Sequence, residues 1–320
     1  MKIGVFAVLF GDKPFEETLD YLVEQGVEAV EIGTGAYPGN THCDPAALLN
    51  SDRKLRAFRE AVSRRGLVIS ALSCHGNPLH PRARIAKDHH ATFMRTIALA
   101  KALDVETVVT FSGCPPGDDR ATQPNWIVSP WPPEFSEMLE WQWKERVKPY
   151  WKDTSRACRA AGVKVAIEMH PNFVVYNPET MLRLRALAPS VIGCNFDPSH
   201  MVWQGIDIVT AIRTLGDAIY HVHAKDCRID AANVAKNGVL DAKKYTRELE
   251  RSWIFRTVGY GHDPRVWKDI VSTLRLVGYD HVLSIEHEDS LMSGAEGLKK
   301  AIAFLKHVVI AEPAGQAYWA

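Results

Sequence analysis

The sequence has no surplus of charge: its 320 residues carry 38 Lys and Arg against 38 Asp and Glu. The basic footprint that a nucleic-acid backbone or an anionic membrane surface would require is missing, so neither is an expected partner. No apolar run approaches the roughly 20 residues of a membrane-spanning helix. Residues 1–10 (MKIGVFAVLF) lack the basic start and small-residue cleavage site of a secretory leader, which makes a cytoplasmic protein the expectation. Cysteine is sparse and unpatterned. Cys43, Cys74, Cys114, Cys158, Cys194 and Cys227 show no C-x-x-C spacing, and several fall in apolar runs, where they read as small core hydrophobes and not as a disulfide framework. There is no repeat of fixed period and no low-complexity tract.

What the chain does have is alternation. Short apolar runs at residues 2–10, 29–33, 68–75, 107–112, 163–170, 191–197, 218–225 and 282–287 read as strands. Amphipathic stretches at 15–25, 52–65, 83–103, 134–161, 178–187, 208–215, 264–277 and 295–308 read as helices. Start and stop signals agree, with Asn177 before Pro178 and Gly162 after the last turn of 134–161. Eight strands with eight crossovers predict an α/β fold, a single (β/α)8 TIM barrel over residues 1–308, followed by a tail at 309–320. Three long segments, 34–50, 113–133 and 227–262, follow strands and so lie on the side where barrel active sites form. Trp126 and Trp131 in the second, RSWIFRTVGYGHD in the third and the Tyr318–Trp319 tail suggest lids or docking surfaces, since exposed tryptophan is costly.

Four of the strands end in a residue that can hold a metal: Glu168 in AIEMH, Asp197 in NFDPSH, His223 in HVHAKD and Glu286 in SIEHED. An acidic residue at one strand end is as readily a salt-bridge partner or a helix cap. Four on consecutive strands converge on one mouth and can share an ion. Three oxygen donors and one imidazole suit Mn2+, Mg2+, Co2+ or Zn2+, and octahedral Mn2+ would keep positions for two substrate oxygens. Such an ion polarises a carbonyl and stabilises the enediolate left when the neighbouring carbon loses a proton.

Further polar residues collect near the predicted mouth. Two residues apart on a strand, Glu168 and His170 face the same side, so His170 is a candidate general base. Its alternative is a structural hydrogen bond to the backbone. His75 and Asn77 follow the third strand, with Gly76 between them allowing close backbone approach. His75 reads as a substrate contact or a structural group. Lys225 and Asp226 follow the seventh strand, and Arg256 and His262 either reach the mouth or organise their own loop. Glu288 is placed behind the site and His287 faces away from it, while His80, His89, His90 and His281 read as structural or solvated.

The motifs AIEMHP, NFDPSH, HVHAKD and SIEHED, on a chain of this length, resemble the xylose isomerase-like barrel superfamily of sugar isomerases, epimerases and inosose dehydratases. The resemblance implies that Glu168, Asp197, His223 and Glu286 bind the metal and that His200 contacts substrate. Departures narrow the choice. Ketohexose epimerases of this superfamily carry a second Glu six residues past the Glu168 position, where this chain has Val174. The endonuclease branch needs a His where Ser112 stands and an Asp-x-His pair that Lys225–Arg228 does not offer. The E-x-H arrangement, together with SCHGNPLHP, NPET and WIFRTVGYGHD, is similar to the α subunit of C-glycoside deglycosidases. That likeness implies a Mn2+-dependent cleavage of C–C or C–O bonds in 3-oxo-glycosides by β-elimination. It also implies an oligomer with a small β-sheet second subunit. His75, His200, Lys225 and Arg256 would contact the sugar, and Glu168 and Glu286 would take part in catalysis beside His170. A sugar isomerase, an epimerase or an inosose-type dehydratase is the alternative, and a non-catalytic sugar-binding barrel is the third reading.

Overall fold

In the computed structural model, which describes residues 1–319, strands of four to six residues alternate with helices. They are β1 (Lys2–Phe6), β2 (Ala29–Gly33), β3 (Val68–Ser73), β4 (Thr107–Phe111), β5 (Lys164–Glu168), β6 (Ile192–Phe196), β7 (Ile219–Ala224), two short strands β8 (Asp226–Ile229) and β9 (Trp253–Arg256), and β10 (Val282–Ile285). All but β8 and β9 form a closed parallel barrel, sealed by the register Lys2↔Val282 to Val5↔Ile285 between β1 and β10. The barrel is the predicted (β/α)8 fold. Its helices lay apolar faces on the strands, as where Trp267, Ile270, Val271 and Leu274 of Pro264–Leu276 are buried. Met1 is tied across the base of the barrel by Asp280 and by the carbonyl of Ile310, beyond which residues 311–319 are exposed. The six cysteines are free and buried, and among the described residues no helix is long and apolar enough to cross a membrane.

Strands stop earlier than their apolar runs. The run 2–10 becomes β1 plus a 3-10 turn at Ala7–Phe10, because pairing with β2 ends at Phe6↔Glu31 and the chain must then curl over the mouth. The stretch 134–161 is not one regular helix either. It divides into Glu134–Trp141, a wider π turn at Gln142–Val147 and Lys148–Ala161. Pro149 supplies no amide hydrogen there, so the ordinary ladder cannot close.

The segment 227–262 is more ordered than its composition suggests. With Asp226 it forms a lid in which β8 and β9 pair antiparallel from Asp226↔Arg256 to Ile229↔Trp253. Its apolar filling is separate from the barrel core: Trp253 stacks on Trp203 at 5.1 Å, with Cys227 and Phe255 buried around them. Arg251 lies over the rings of Tyr245 and Trp253, at 4.3 and 4.6 Å.

Asp226 knots the lid to the barrel. Its carboxylate accepts from the amides of Gly259, Gly261 and His262 at 3.0, 3.2 and 3.0 Å, from His262 Nδ1 at 2.7 Å and from Trp267 Nε1 at 3.1 Å. A Cβ at Gly261 would stand 2.3 Å from Asp226 Oδ1, so only glycine lets the loop come this close. Asp226→Ala strands several of these donors, each costing about 1–3 kcal/mol if left unpaired. A loss of at least about 3 kcal/mol in urea unfolding, with proteolysis starting in 227–262, is expected. An unchanged unfolding midpoint would show that the knot contributes nothing.

Candidate metal centre

The C-terminal ends of β5, β6, β7 and β10 bring Glu168, Asp197, His223 and Glu286 together, each offering a ligand atom within 4.8 Å of the others. Local sequence sets each one. Asp197 ends the β6 segment and caps the helix Pro198–Trp203: its Oδ1 accepts from the Ser199 amide at 2.8 Å, and Pro198 starts the first turn. The other oxygen, Oδ2, is buried without a hydrogen bond. His223 Nε2 lies 3.0 and 3.1 Å from the two oxygens of Glu31, which leaves its buried Nδ1 unpartnered, 3.1 Å from Glu286 Oε2 and 3.3 Å from Glu168 Oε2. A buried imidazole nitrogen and a buried carboxylate oxygen, neither in a well-formed hydrogen bond, thus face the same small space as two further carboxylates, with the Lys225 ammonium 3.1 Å from that oxygen. That is a cradle for a cation, and the donor set fits a divalent metal ion.

The electrostatics agree. Burial opposes ionisation of Glu168, but His223 and His75 hold its carboxyl well below the ordinary range. Glu286 is likewise held down against burial by Lys225 and His223. Lys225 is buried with Nζ 2.8 Å from Glu286 Oε2, 3.0 Å from Glu288 Oε2 and 3.1 Å from Asp197 Oδ2. Burial opposes its charge too, and Asp197 and Glu286 outweigh that and raise it. Phe255 of the lid covers this ammonium at 4.6 Å.

His170 comes after the end of β5 and still reaches the mouth, because its amide donates to the carbonyl of Val175 in a tight return at 3.1 Å. Its ring packs edge-on to His200 at 4.3 Å and against Phe111 at 4.7 Å. Nδ1 donates to the carbonyl of Pro171 at 2.7 Å, so the lone pair is on Nε2. Burial, and then the neighbouring His200, pull this imidazole down to about 3, which leaves the ring neutral throughout the working range. His200 is fully buried, with Nε2 3.3 Å from Glu168 Oε1 and 3.4 Å from Asp197 Oδ2.

The other sequence-predicted groups surround the centre or organise the loops above it. His75 donates from Nε2 to Glu168 Oε2 at 2.9 Å. Asn77 grips the backbone of Cys114 at both ends of its amide, and His262 is part of the Asp226 knot. Arg256 is tied to Asp289 at 3.1 Å and lies over Tyr260, so in this conformation it organises its own loop. Glu288 stands behind the site through Lys225.

Sequence reasoning missed a layer beneath the centre. Glu31, Asn195 and His221 are buried there, with Asn195 Nδ2 donating to Glu168 Oε2 at 3.1 Å and His221 Nδ1 2.9 Å from Asn195 Oδ1. The available signals were a lone carboxylate inside the apolar strand AVEIG and two histidines spaced to share a face in HVH. At the opposite end of the barrel, a cavity of about 870 Å3 is bounded by Lys2, Glu28, Ser70, Lys164 and His281. His221 also borders it, and barrel chemistry belongs at the C-terminal mouth.

Comparison with known proteins agrees with this architecture. The chain is 37% identical over 312 residues to the uncharacterized protein YfiH of Bacillus subtilis, covering 97% of this chain and 99% of the relative. The structure of 3-keto-D-glucoside 4-epimerase, YcjR, from E. coli superposes with a TM-score of 0.65 at 14% identity, covering 96% of this chain and 99% of that one. The probable 3-DHS dehydratase AsbF from Bacillus anthracis superposes with the same TM-score, 0.65, at 18% identity and the same coverage, 96% and 99%. A family model described as the xylose isomerase-like TIM barrel matches residues 19–308. Since that match runs from the first long helix to the last and the barrel it describes is the one that closes here, the chain belongs to the xylose isomerase-like TIM barrel family.

Proposed function

We propose that this protein is a divalent-metal-dependent enzyme that removes a proton from the carbon beside the carbonyl of a keto-sugar, with epimerisation or loss of water as the outcome. The observation that carries this reading is the pairing of a four-ligand cradle with a neutral imidazole, His170, at the same mouth. A bound ion, with Mn2+ the first to test and Mg2+, Co2+ and Zn2+ next, supplies Lewis-acid polarisation of the substrate carbonyl.

The remaining work falls to the chain. His170 Nε2 accepts the proton. With its Nε2 lone pair free to take the proton, it can then return it to an epimer or to a departing hydroxyl. Lys225 brings a fixed positive charge to the oxygens at which negative charge gathers. His75 keeps Glu168 oriented, His200 backs His170, and the lid carrying Phe255 and Arg256 keeps water from the mouth. The names of the two solved neighbours, a 4-epimerase of a 3-keto-D-glucoside and a probable dehydratase, describe the two outcomes of such a proton abstraction.

A second reading is β-elimination from a 3-oxo-glycoside, breaking a C–C or C–O bond, as in a C-glycoside deglycosidase α subunit. The E-x-H pair Glu168 and His170 favours it, and the buried Val174, where ketohexose epimerases have a second Glu, speaks against that rival. This reading brings with it an oligomer and a small β-sheet second subunit, for which the exposed Trp131 and Leu249 on the loops of the mouth offer apolar contacts.

The test is solvent exchange. Metal-loaded protein in deuterium oxide is given free ketoses, a keto-inositol and 3-oxo-glucosides in parallel, and NMR follows the hydrogen beside the carbonyl. Deuterium at that carbon supports the proposal, and the product, whether epimer, dehydrated enone or released aglycone, selects the branch. Binding of all three classes without exchange would leave a non-catalytic sugar-binding barrel.

A further inference from the structure

Small parallel barrels are filled by branched apolar side chains. Beneath this metal centre the filling is polar instead: Glu31 from β2, Ser73 from β3, Asn195 from β6, His221 from β7 and Ser284 from β10, all buried. A carboxylate placed there without partners would be strongly unfavourable, so Glu31 has a reason to be where it is. Its Oε1 accepts from Ser73 Oγ and its Oε2 from Ser284 Oγ at 2.7 Å, and both oxygens lie against His223 Nε2.

We infer that Glu31 is a positioning residue that makes His223 a ligand through Nδ1. An ionised carboxylate can only accept, so the nitrogen it faces, Nε2, must carry the hydrogen. To ligate a cation the imidazole must be neutral, and with the hydrogen held on Nε2 its lone pair is then on Nδ1, the atom that lies among Glu168 and Glu286. The negative charge of Glu31 also makes the imidazole a stronger donor to a cation. Phe6, stacked on the His223 ring at 5.7 Å, and the two serines limit rotation of either partner.

His221 is not a second ligand of this kind. Its Nδ1 is taken by Asn195 Oδ1 at 2.9 Å and its Nε2 faces Ser70 Oγ at 3.4 Å, so it serves to hold Asn195, which in turn holds Glu168. Two of the four proposed ligands, His223 and Glu168, are therefore gripped from below by Glu31 and Asn195.

The inference rests on the reading of Glu168, Asp197, His223 and Glu286 as a metal centre, and the experiment separates the two. Mn2+ is titrated into the metal-free full chain and free ion is followed by its paramagnetic resonance signal. Glu31→Gln keeps the shape and removes the charge, and it is expected to weaken Mn2+ binding about 10–100-fold. The visible absorption of the Co2+-loaded variant should shift with the altered imidazole donor, which a loss of general stability would not produce. Parental Mn2+ affinity with an unchanged Co2+ spectrum in Glu31→Gln would overturn the role of Glu31. A parent chain that binds no Mn2+ would overturn the metal centre, and Glu31 with it. Should Glu31→Gln fail to fold, the double variant Ser73→Ala, Ser284→Ala frees the same carboxylate to turn: weakened binding supports the inference and parental binding overturns it.

Discussion

Asp197→Asn and Glu286→Gln are expected to leave a folded barrel that no longer retains its ion through dialysis. The two oxygens of Asp197 have separate duties. Oδ1 caps the helix Pro198–Trp203 and Oδ2 is buried with no hydrogen bond. Asparagine caps as well as aspartate, so the substitution preserves the helix start while placing an uncharged amide against the cation. Glu286→Gln makes the corresponding change at the end of β10, next to His223 Nδ1. Removing a charged ligand should weaken the ion by more than the roughly 10–100-fold that an outer partner is worth. Elemental analysis of dialysed parent and variant proteins, with circular dichroism as the control for folding, measures the loss. Near-stoichiometric metal in both variants would break the assignment of the centre.

This prediction uses the part of the protein that could be read most directly. Barrel strands are local apolar runs, and their order around a closed parallel sheet follows the order of the chain, so a residue at the end of such a run has a nearly fixed address. Glu168, Asp197, His223 and Glu286 were legible for that reason. The lid was not. β8 and β9 are four residues each, pair across the intervening residues 230–252 and carry no alternation long enough to distinguish them from loop. The partner of Arg256 is Asp289, from the loop beyond β10, a pairing that no pattern near either residue announces. Glu31 was hidden differently. Its strand was recognised, but a carboxylate facing into a barrel becomes meaningful only when His223, 192 residues later, is found at hydrogen-bond distance. The legible residues have an address set by a local apolar run, and the hidden ones acquire meaning only through one particular partner elsewhere in the chain.

His170→Ala tests the chemistry apart from the metal. The residue is not in the four-ligand set, and its ring meets Phe111, Phe173 and His200, so removing it opens space at the mouth without taking a charge from the centre. The variant should keep parental metal content and lose about 10²–10⁴ in the rate of hydrogen exchange beside the carbonyl, the usual contribution of a positioned general base. Measuring exchange with a keto-sugar that the parent turns over, at saturating metal and substrate, removes binding from the comparison. Because Nδ1 is committed to the Pro171 carbonyl, His170→Gln, which cannot present the same nitrogen lone pair, should be as slow as the alanine variant. A drop in metal content equal to the drop in exchange would make His170 a support for the centre and not the base. Undiminished exchange would move the base to Glu286 or His75, which stand beside His223 and Glu168 respectively.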